Sequence, residues 1–255
     1  MPLQVSHNAG GVDRTRHISE SYRRLLRTME KVSSGMKINR ASDDPAGLVI
    51  SEQLRSRIAS LNKGIETTTL AIQKYNTADA TISQLHSVAH GIRTMAAAAA
   101  DGGLDDGTVR AAYEAAANRA VENYNHIVET AAFNNANLLD GSDGSLANLP
   151  RLDDLDLSSP EGASAALKLI DEAIARLNQA QIQIGSAQAY ELEMRRSNLE
   201  ITAENLTAAE SEIRDTDFPE AMVEMIQSEL ALKAGLAILA HTNMTQQAVL
   251  SLLRE

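Results

Sequence analysis

The feature that most narrows the folds open to this chain is an apolar seam running Leu54, Ile58, Leu61, Ile65, Thr68, Ile72, Tyr75, Asp79 and Ile82. Its steps alternate four and three residues, the repeat that holds one stripe of a helix against a partner helix. Polar Thr68 and Asp79 interrupt the stripe and are expected to weaken it locally and set its register. The start is well marked: Ser42 or Asp43 can cap, Pro45 sits near the first helical position, and Asp43 and Asp44 complement the positive end of the helix dipole. The run continues through Ile92 and Ala96–Ala100 to Gly102-Gly103. The expected helix is on the order of 80 Å long, at about 1.5 Å per residue.

Glycine and proline are sparse elsewhere too, so the other helices are also expected to be long. A first helix is expected from Asp13 to Ser34, with Gly35 as the left-handed residue that ends it. A third should span Thr108–Thr130, with Val109, Tyr113, Ala116, Ala120, Ile127 and Ala131 on one stripe. From Phe133 to Ser159 the pattern dissolves into Asn, Asp, Gly and Ser, a loop or hairpin region with short strands near Leu138-Leu139 or Leu155–Leu157. Ser159-Pro160-Glu161 opens a fourth helix with the seam Leu167, Ile170, Ile174, Leu177 and Ile184, after which Leu192, Leu199, Leu206 and Ile213 recur every seven residues. Phe218-Pro219 breaks the run, Asp217 is a candidate cap, and a last helix reaches Leu253. The fold class is therefore mainly all-α: long antiparallel helices in a coiled-coil-like rod, with a small hairpin or loop near 133–158.

Composition agrees and removes several functions. Aromatics make up 3% of the 255 residues and there is no Trp, which suits helix–helix seams better than an aromatic-lined pocket. A net charge of −11 opposes non-specific nucleic-acid binding. The absence of cysteine excludes thiol catalysis and zinc–thiolate sites. The first residues, Met1-Pro2-Leu3-Gln4-Val5-Ser6-His7-Asn8, lack the basic and apolar regions of a secretory signal. The least charged stretch, Ala234 to Leu253, carries too many polar residues to span a membrane. Any route out of the cytoplasm is thus expected to be signal-independent, and neither nucleic acid nor membrane is an expected partner.

The two ends are the informative part. Residues 13–40 hold eight basic and three acidic residues, net +5, and residues 191–229 hold three basic and eleven acidic, net −8. Opposite charge on distant helical segments favours antiparallel pairing across a long insertion, against the alternative of two separately solvated faces. The last helix has a seam of Met225, Leu232, Leu236, Leu239, Leu250 and Leu253, with Asn243 and Gln246 inserted in it. It also carries Met222, Val223, Ile226, Leu230, Ile238, Met244, Val249 and Leu252 on its other faces. One partner helix cannot cover a helix that is apolar most of the way round, so neighbouring copies of the chain are expected to. Asn243 and Gln246 are candidates for setting the register between subunits.

At this point a family resemblance emerges. Glu30-Lys31-Val32-Ser33-Ser34-Gly35-Met36-Lys37-Ile38-Asn39-Arg40, followed by Asp43-Asp44-Pro45-Ala46-Gly47-Leu48, resembles the N-terminal signature of bacterial flagellins. Phe133-Asn134 and Leu138-Leu139-Asp140-Gly141 resemble the end of the family's first conserved region. Glu204-Asn205-Leu206-Thr207-Ala208-Ala209-Glu210-Ser211, Ile213-Arg214-Asp215-Thr216-Asp217 and Val249-Leu250-Ser251-Leu252-Leu253-Arg254 resemble its C-terminal signature.

The resemblance implies a filament subunit of minimal form, without the variable outer domains. Its terminal segments, 1–42 with 217–255, would build an inner-tube helical domain. Residues 43–216 would build a rod-like domain. It further implies export, unfolded, through the flagellar type III apparatus, an export chaperone on the C-terminal segment, and hook-associated and cap proteins as partners. The filament would then be secreted and external, with a periplasmic one as the other option. Met225, Leu232, Leu236, Leu239, Asn243, Gln246, Leu250 and Leu253 would be the polymerisation residues. A family motif for an animal immune receptor falls at His90-Gly91-Ile92-Arg93-Thr94-Met95 in degraded form: Arg93 is kept, and Met95 stands where the family has Leu. Activation of that receptor is therefore expected to be weak. Glu255 extends the usual Leu-Arg end, and Ala240–Asn243 varies the family pattern.

No catalytic constellation or cofactor motif is present. His86 and His90 are four apart on one helix but have no third ligand at useful spacing, and the acidic turns at Asp140–Gly144 and Asp153–Asp156 lack the spacing of a calcium loop. Gly10-Gly11 and Gly102-Gly103 lack the fingerprint of a phosphate loop. The expectation is a non-enzymatic structural subunit. The alternatives are a hook–filament junction protein of the same export system and a cytoplasmic coiled-coil scaffold.

Overall fold

The computed structural model describes residues 9–101, 107–142 and 144–252. Helices α1 (Ala9–Ser34), α2 (Pro45–Ala100) and α3 (Gly107–Thr130) are followed by strands β1 (Ala132–Phe133) and β2 (Ala136–Asn137). Then come α4 (Pro160–Ser186), a π-helical turn at Ala187–Leu192, α5 (Glu193–Arg214) and α6 (Phe218–Leu252). The contacts divide the chain into two compact units, Met1–Ser60 with Ala203–Glu255, and Leu61–Thr202.

The unit 61–202 is built on heptads. Ala78, Ile82, Leu85, Ala89, Ile92, Ala96 and Ala99 are all buried on α2. Ala163, Ala166, Ile170, Ala173, Leu177, Ala180 and Ile184 are buried on α4. Both series step by three and four, and alanine fills about half the positions, so the core needs few aromatics. On α3 the buried stripe is Ala117, Val121, Tyr124 and Val128. This differs from the expected stripe. Tyr113, Ala120 and Ile127 lie half-buried beside it and Ala116 is exposed. An alanine-rich helix has apolar residues on several faces, so periodicity alone does not say which face packs inward. Tyr124 has no exposed surface, and burial pushes its hydroxyl up to about 12, against a smaller lowering by Arg176.

The two polar seam residues of α2 behave differently from each other. Thr68 is buried but donates its hydroxyl to Gly64 O of its own helix, so it specifies no partner. Asp79 accepts from Gln181 Nε2 of α4 at 3.0 Å and does tie the two helices in register.

The strands are at Ala132–Phe133 and Ala136–Asn137, not at Leu138-Leu139 or Leu155–Leu157. Asn134 (φ 49°) and Asn135 (φ 64°) are both left-handed, the conformation a two-residue hairpin turn requires and one that Asn tolerates. Leu138, Leu139, Leu155 and Leu157 are instead core residues, each at most 4% exposed. The 150–157 segment belongs to no helix or strand. It is held by two asparagines one heptad apart on α3. Asn118 accepts from Leu155 N (2.8 Å) and donates to Leu155 O (3.3 Å); Asn125 accepts from Leu152 N (2.9 Å) and donates to Leu152 O (2.8 Å). Seven helical residues rise about 10.5 Å and three extended residues about 10 Å, so the two repeats match. The paired side-chain amides replace the missing strand partner.

The step from Ile184 to Leu192 is eight residues where the seam needs seven. The π-helical turn, with its i→i+5 bonding, takes up the extra residue there, so Leu192 and Leu199 return to the packing face. A Cβ on Gly64 of α2 would stand 3.4 Å from Leu199 Cδ1.

In the unit of the two ends, α1 and α6 pack together. Their direction is antiparallel: Gly35 faces Phe218, Ile18 faces Gly235, and Arg14 donates to the Thr242 hydroxyl. Gly35 is left-handed (φ 72°) and its N–H bonds back to Lys31 O, which ends α1 where expected. The cap of α2 is Asp44, which accepts from Ala46 N and Gly47 N, rather than Ser42 or Asp43. Asp43 accepts from the backbone N–H groups of Arg40 and Asn39 and shapes the preceding turn; the Arg40 bond is the main reason its carboxyl lies below the usual range. Ser159 caps α4 through Gly162 N. Asp217 caps α6 through Glu220 N.

Candidate functional site: the paired ends

The α1–α6 contact uses small and weakly polar residues. On α1 the inward positions are Ile18, Ser21, Leu25, Thr28 and Val32; on α6 they are Ala221, Met225, Ser228, Leu232, Gly235, Leu239 and Thr242. The approach is close at Gly235, where an added Cβ would lie 2.9 Å from Ile18 Cγ1. Met225, Leu232 and Leu239 are half-buried on this inward face. Leu236 and Asn243 are not: both are exposed, and Gly235 and Thr242 take the seam positions in their place. The leucine pattern misleads because a glycine, invisible to a hydrophobic count, stands against Ile18 on the inward face. Gln246 and Leu250 belong to α6 with side chains outside the described residues, and Leu253 lies wholly outside them.

The outer faces of α6 are left uncovered by the described residues. Val223, Ile226, Leu230, Leu236, Ile238 and Met244 are 48% to 66% exposed. Scattered exposed leucines are ordinary, but six on one helix form a surface that marks an interaction site.

Where α1 and α5 end, the two arms of the chain are clasped. Lys37 N donates to Arg214 O (2.7 Å) and Thr216 N to Gly35 O (3.0 Å), with Met36 and Asp215 as an antiparallel bridge. The Arg214 side chain donates through Nε to Met36 Sδ (3.3 Å) and through Nη1 to Glu52 (2.7 Å). That hydrogen bond is the main cause holding the Glu52 carboxyl below the usual range. This clasp was not read from the sequence, since two backbone bonds leave no compositional trace.

Charge does not work as expected here. The ends do pair, yet among the described residues no ion pair links 13–40 to 191–229. The pairs in the basic segment, Arg16–Asp13, His17–Glu20 and Arg40–Glu30, are all internal to it.

Elsewhere, Arg93 is exposed and its Nε donates to Asp171 at 2.6 Å, while Met95 is half-buried against the α2–α3–α4 core. The His86 and His90 rings stack with centroids 6.2 Å apart; burial, then the charge of His90, lowers the His86 pKa. Among the described residues no three His, Asp or Glu side chains gather as a metal site, and no helix is long and apolar enough to cross a membrane.

Two chain ends clasped to each other, one of them a helix with apolar faces left open, define a self-assembling helical subunit. Comparison with known proteins specifies which kind. Residues 5–143 match the bacterial flagellin N-terminal helical region and residues 167–253 match the C-terminal helical region. The chain is 31% identical to a flagellin of Halalkalibacterium halodurans over 98% of its own length and 99% of that protein's. It is 30% identical to a flagellar filament core protein of Treponema maltophilum over 98% and 99%, and 28% identical to a flagellin of Bacillus subtilis over 99% and 100%. The chain belongs to the bacterial flagellin family. It is a structural subunit of the flagellar filament and not an enzyme, in a short form consistent with the two conserved arms alone.

Proposed function

We propose that the terminal segments, 1–42 with 217–255, are the polymerisation device, and that 43–216 is the rod-like part they carry. The observation behind this reading is the set of open apolar faces on α6. Leu236 and Asn243 sit among them, where a neighbouring copy can reach them; Met225, Leu232 and Leu239 act by holding α6 against α1. Gln246, Leu250 and Leu253 continue the same device toward the C-terminus. The subunit is exported unfolded by the flagellar type III apparatus, escorted by a chaperone on the C-terminal segment. It then joins an external filament used for motility, between hook-associated proteins and a cap. At Arg93 and Met95 the ion pair to Asp171 and the half-buried methionine leave little for an immune receptor to grip, so activation is weak.

Seeded polymerisation tests the main reading. Purified chain added to sheared filament fragments should lengthen them into tubes visible by electron microscopy, and Leu236→Ser and Asn243→Leu should impair growth while leaving the helical circular dichroism of the subunit unchanged. Wild-type chain that stays monomeric with seeds, or both variants growing at the wild-type rate, would refute it.

A further inference from the structure

The ends carry opposite charges that the subunit itself does not use. On α1, Arg23, Arg24 and Arg27 are exposed and, among the described residues, make no ion pair or hydrogen bond through their guanidinium groups. Arg23 and Arg27 are four apart, so they stand together on the helix surface as a repelling pair. On α6, Glu220 and Glu224 are likewise four apart, exposed, and without an ionic partner among the described residues. Each pair lies beside exposed apolar side chains: Tyr22 and Leu26 on α1, Val223 and Ile226 on α6. The helix dipole accounts for Glu220, in the first turn of α6, but not for Glu224 one turn later, nor for three arginines in the interior of α1. The antiparallel register, with Ile18 facing Gly235 and Gly35 facing Phe218, brings Arg27 within about 3 Å of rise of Glu224, yet no ion pair joins these arginines to Glu220 or Glu224 among the described residues. The charge complementarity seen in the sequence is therefore not satisfied inside one chain.

We propose that it is satisfied between chains: the Arg23/Arg27 face of α1 docks on the Glu220/Glu224 face of a second copy. The spacing fits, since both pairs are separated by about 6 Å of helix rise. Apposition also turns two like-charge repulsions into two attractions, and the flanking apolar residues supply contact area between the copies. The charges would then select partner and register, as rim charges do at other interfaces. This rests on the filament-subunit reading and names the partner surface within it.

Charge exchange in the full-length chain tests it, by seeded elongation on wild-type filament fragments. R23E/R27E and E220R/E224R, each alone, should elongate at least about tenfold more slowly than wild type, as expected for reversed charges at an interface. An equimolar mixture of the two variants should recover growth to within about threefold, because each meets opposite charge on the other, and the chain carrying all four substitutions should recover likewise once its first layer covers the wild-type seed. If R23E/R27E grows at the wild-type rate, the docking is wrong. If both variants are slow but neither the mixture nor the fourfold exchange recovers, the two faces do not meet, and the proposal also fails. In either case wild-type growth on the same seeds leaves the filament reading intact; loss of wild-type growth would instead count against that reading.

Discussion

Deleting one residue from the π-helical turn should be nearly harmless, whereas deleting one from the helix just before it should be severe. Removing Ala189, which is exposed, lets the turn close to an ordinary α-helix and makes the Ile184-to-Leu192 step seven residues. Leu192 and Leu199 keep their face. The recognised loss is the hydrogen bond from Gln188 Nε2 to Asn76 Oδ1, an exposed contact worth about 0.5–1 kcal/mol. Removing Ala175, also exposed, shortens the seam upstream of the turn. The helix after it is rotated by about 100° until the π-helical turn is consumed, after which residues from Leu192 onward are again in step. The damage is therefore confined to Leu177, Ala180 and Ile184, which are 0%, 5% and 1% exposed. Turning Leu177 and Ile184 out of the core costs about 2–5 kcal/mol each, together comparable to the whole stability of a domain. Denaturant unfolding followed by circular dichroism should place the Ala189 deletion within about 1 kcal/mol of wild type and find the Ala175 deletion largely unfolded. Equal damage from the two deletions would show that the turn does not serve as the insertion that keeps the seam in phase.

Three further outcomes follow from particular contacts. Gly235→Leu should destabilise the paired ends by about 1–3 kcal/mol, read from loss of helical signal in a denaturant titration, because the new side chain meets Ile18 where a Cβ alone would lie at 2.9 Å; a stability equal to or above wild type would contradict the close approach. Asn125→Ala leaves Leu152 N and O without their amide partner, so amide exchange at Leu152 should speed up and stability should fall by about 1–3 kcal/mol. Glu52 is held below its usual pKa in the folded state, so its contribution is present above the unfolded value and is lost as pH falls through the folded one. In Arg214→Ala the Glu52 carboxyl titration followed by NMR should move up toward the ordinary value, and an unmoved titration would remove Arg214 as the cause.

Much of the helical layout was readable because it is written in local chemistry. Ser159, Asp217 and Gly35 announce helix ends by side-chain oxygen or by absence of a Cβ, and each acts where expected. The heptad of α4 was readable from Ile170 and Leu177, although Ala163, Ala166, Ala173 and Ala180, which carry half of it, do not stand out in an alanine-rich chain. The inward stripe of α3 and the strand positions differ from the sequence pattern for a related reason. Leucine signals burial, but Leu138, Leu139, Leu155 and Leu157 obtain it from an irregular segment held by Asn118 and Asn125.

At the paired ends, then, sequence alone determined that the first and last helices belong together. It also determined that the last is too apolar for a single partner, and that the chain carries the ordered signatures of a flagellin. These depend on residue type, order and periodicity. Only the tertiary structure decided that Gly235 rather than Leu236 faces α1, that Arg214 clasps Met36 and Glu52, and that the opposite charges of the two ends do not touch. The reason is that helix rotation and axial stagger are set by close approaches and by a few hydrogen bonds, and a change of one residue in the facing position turns a side chain by about 100° around the helix.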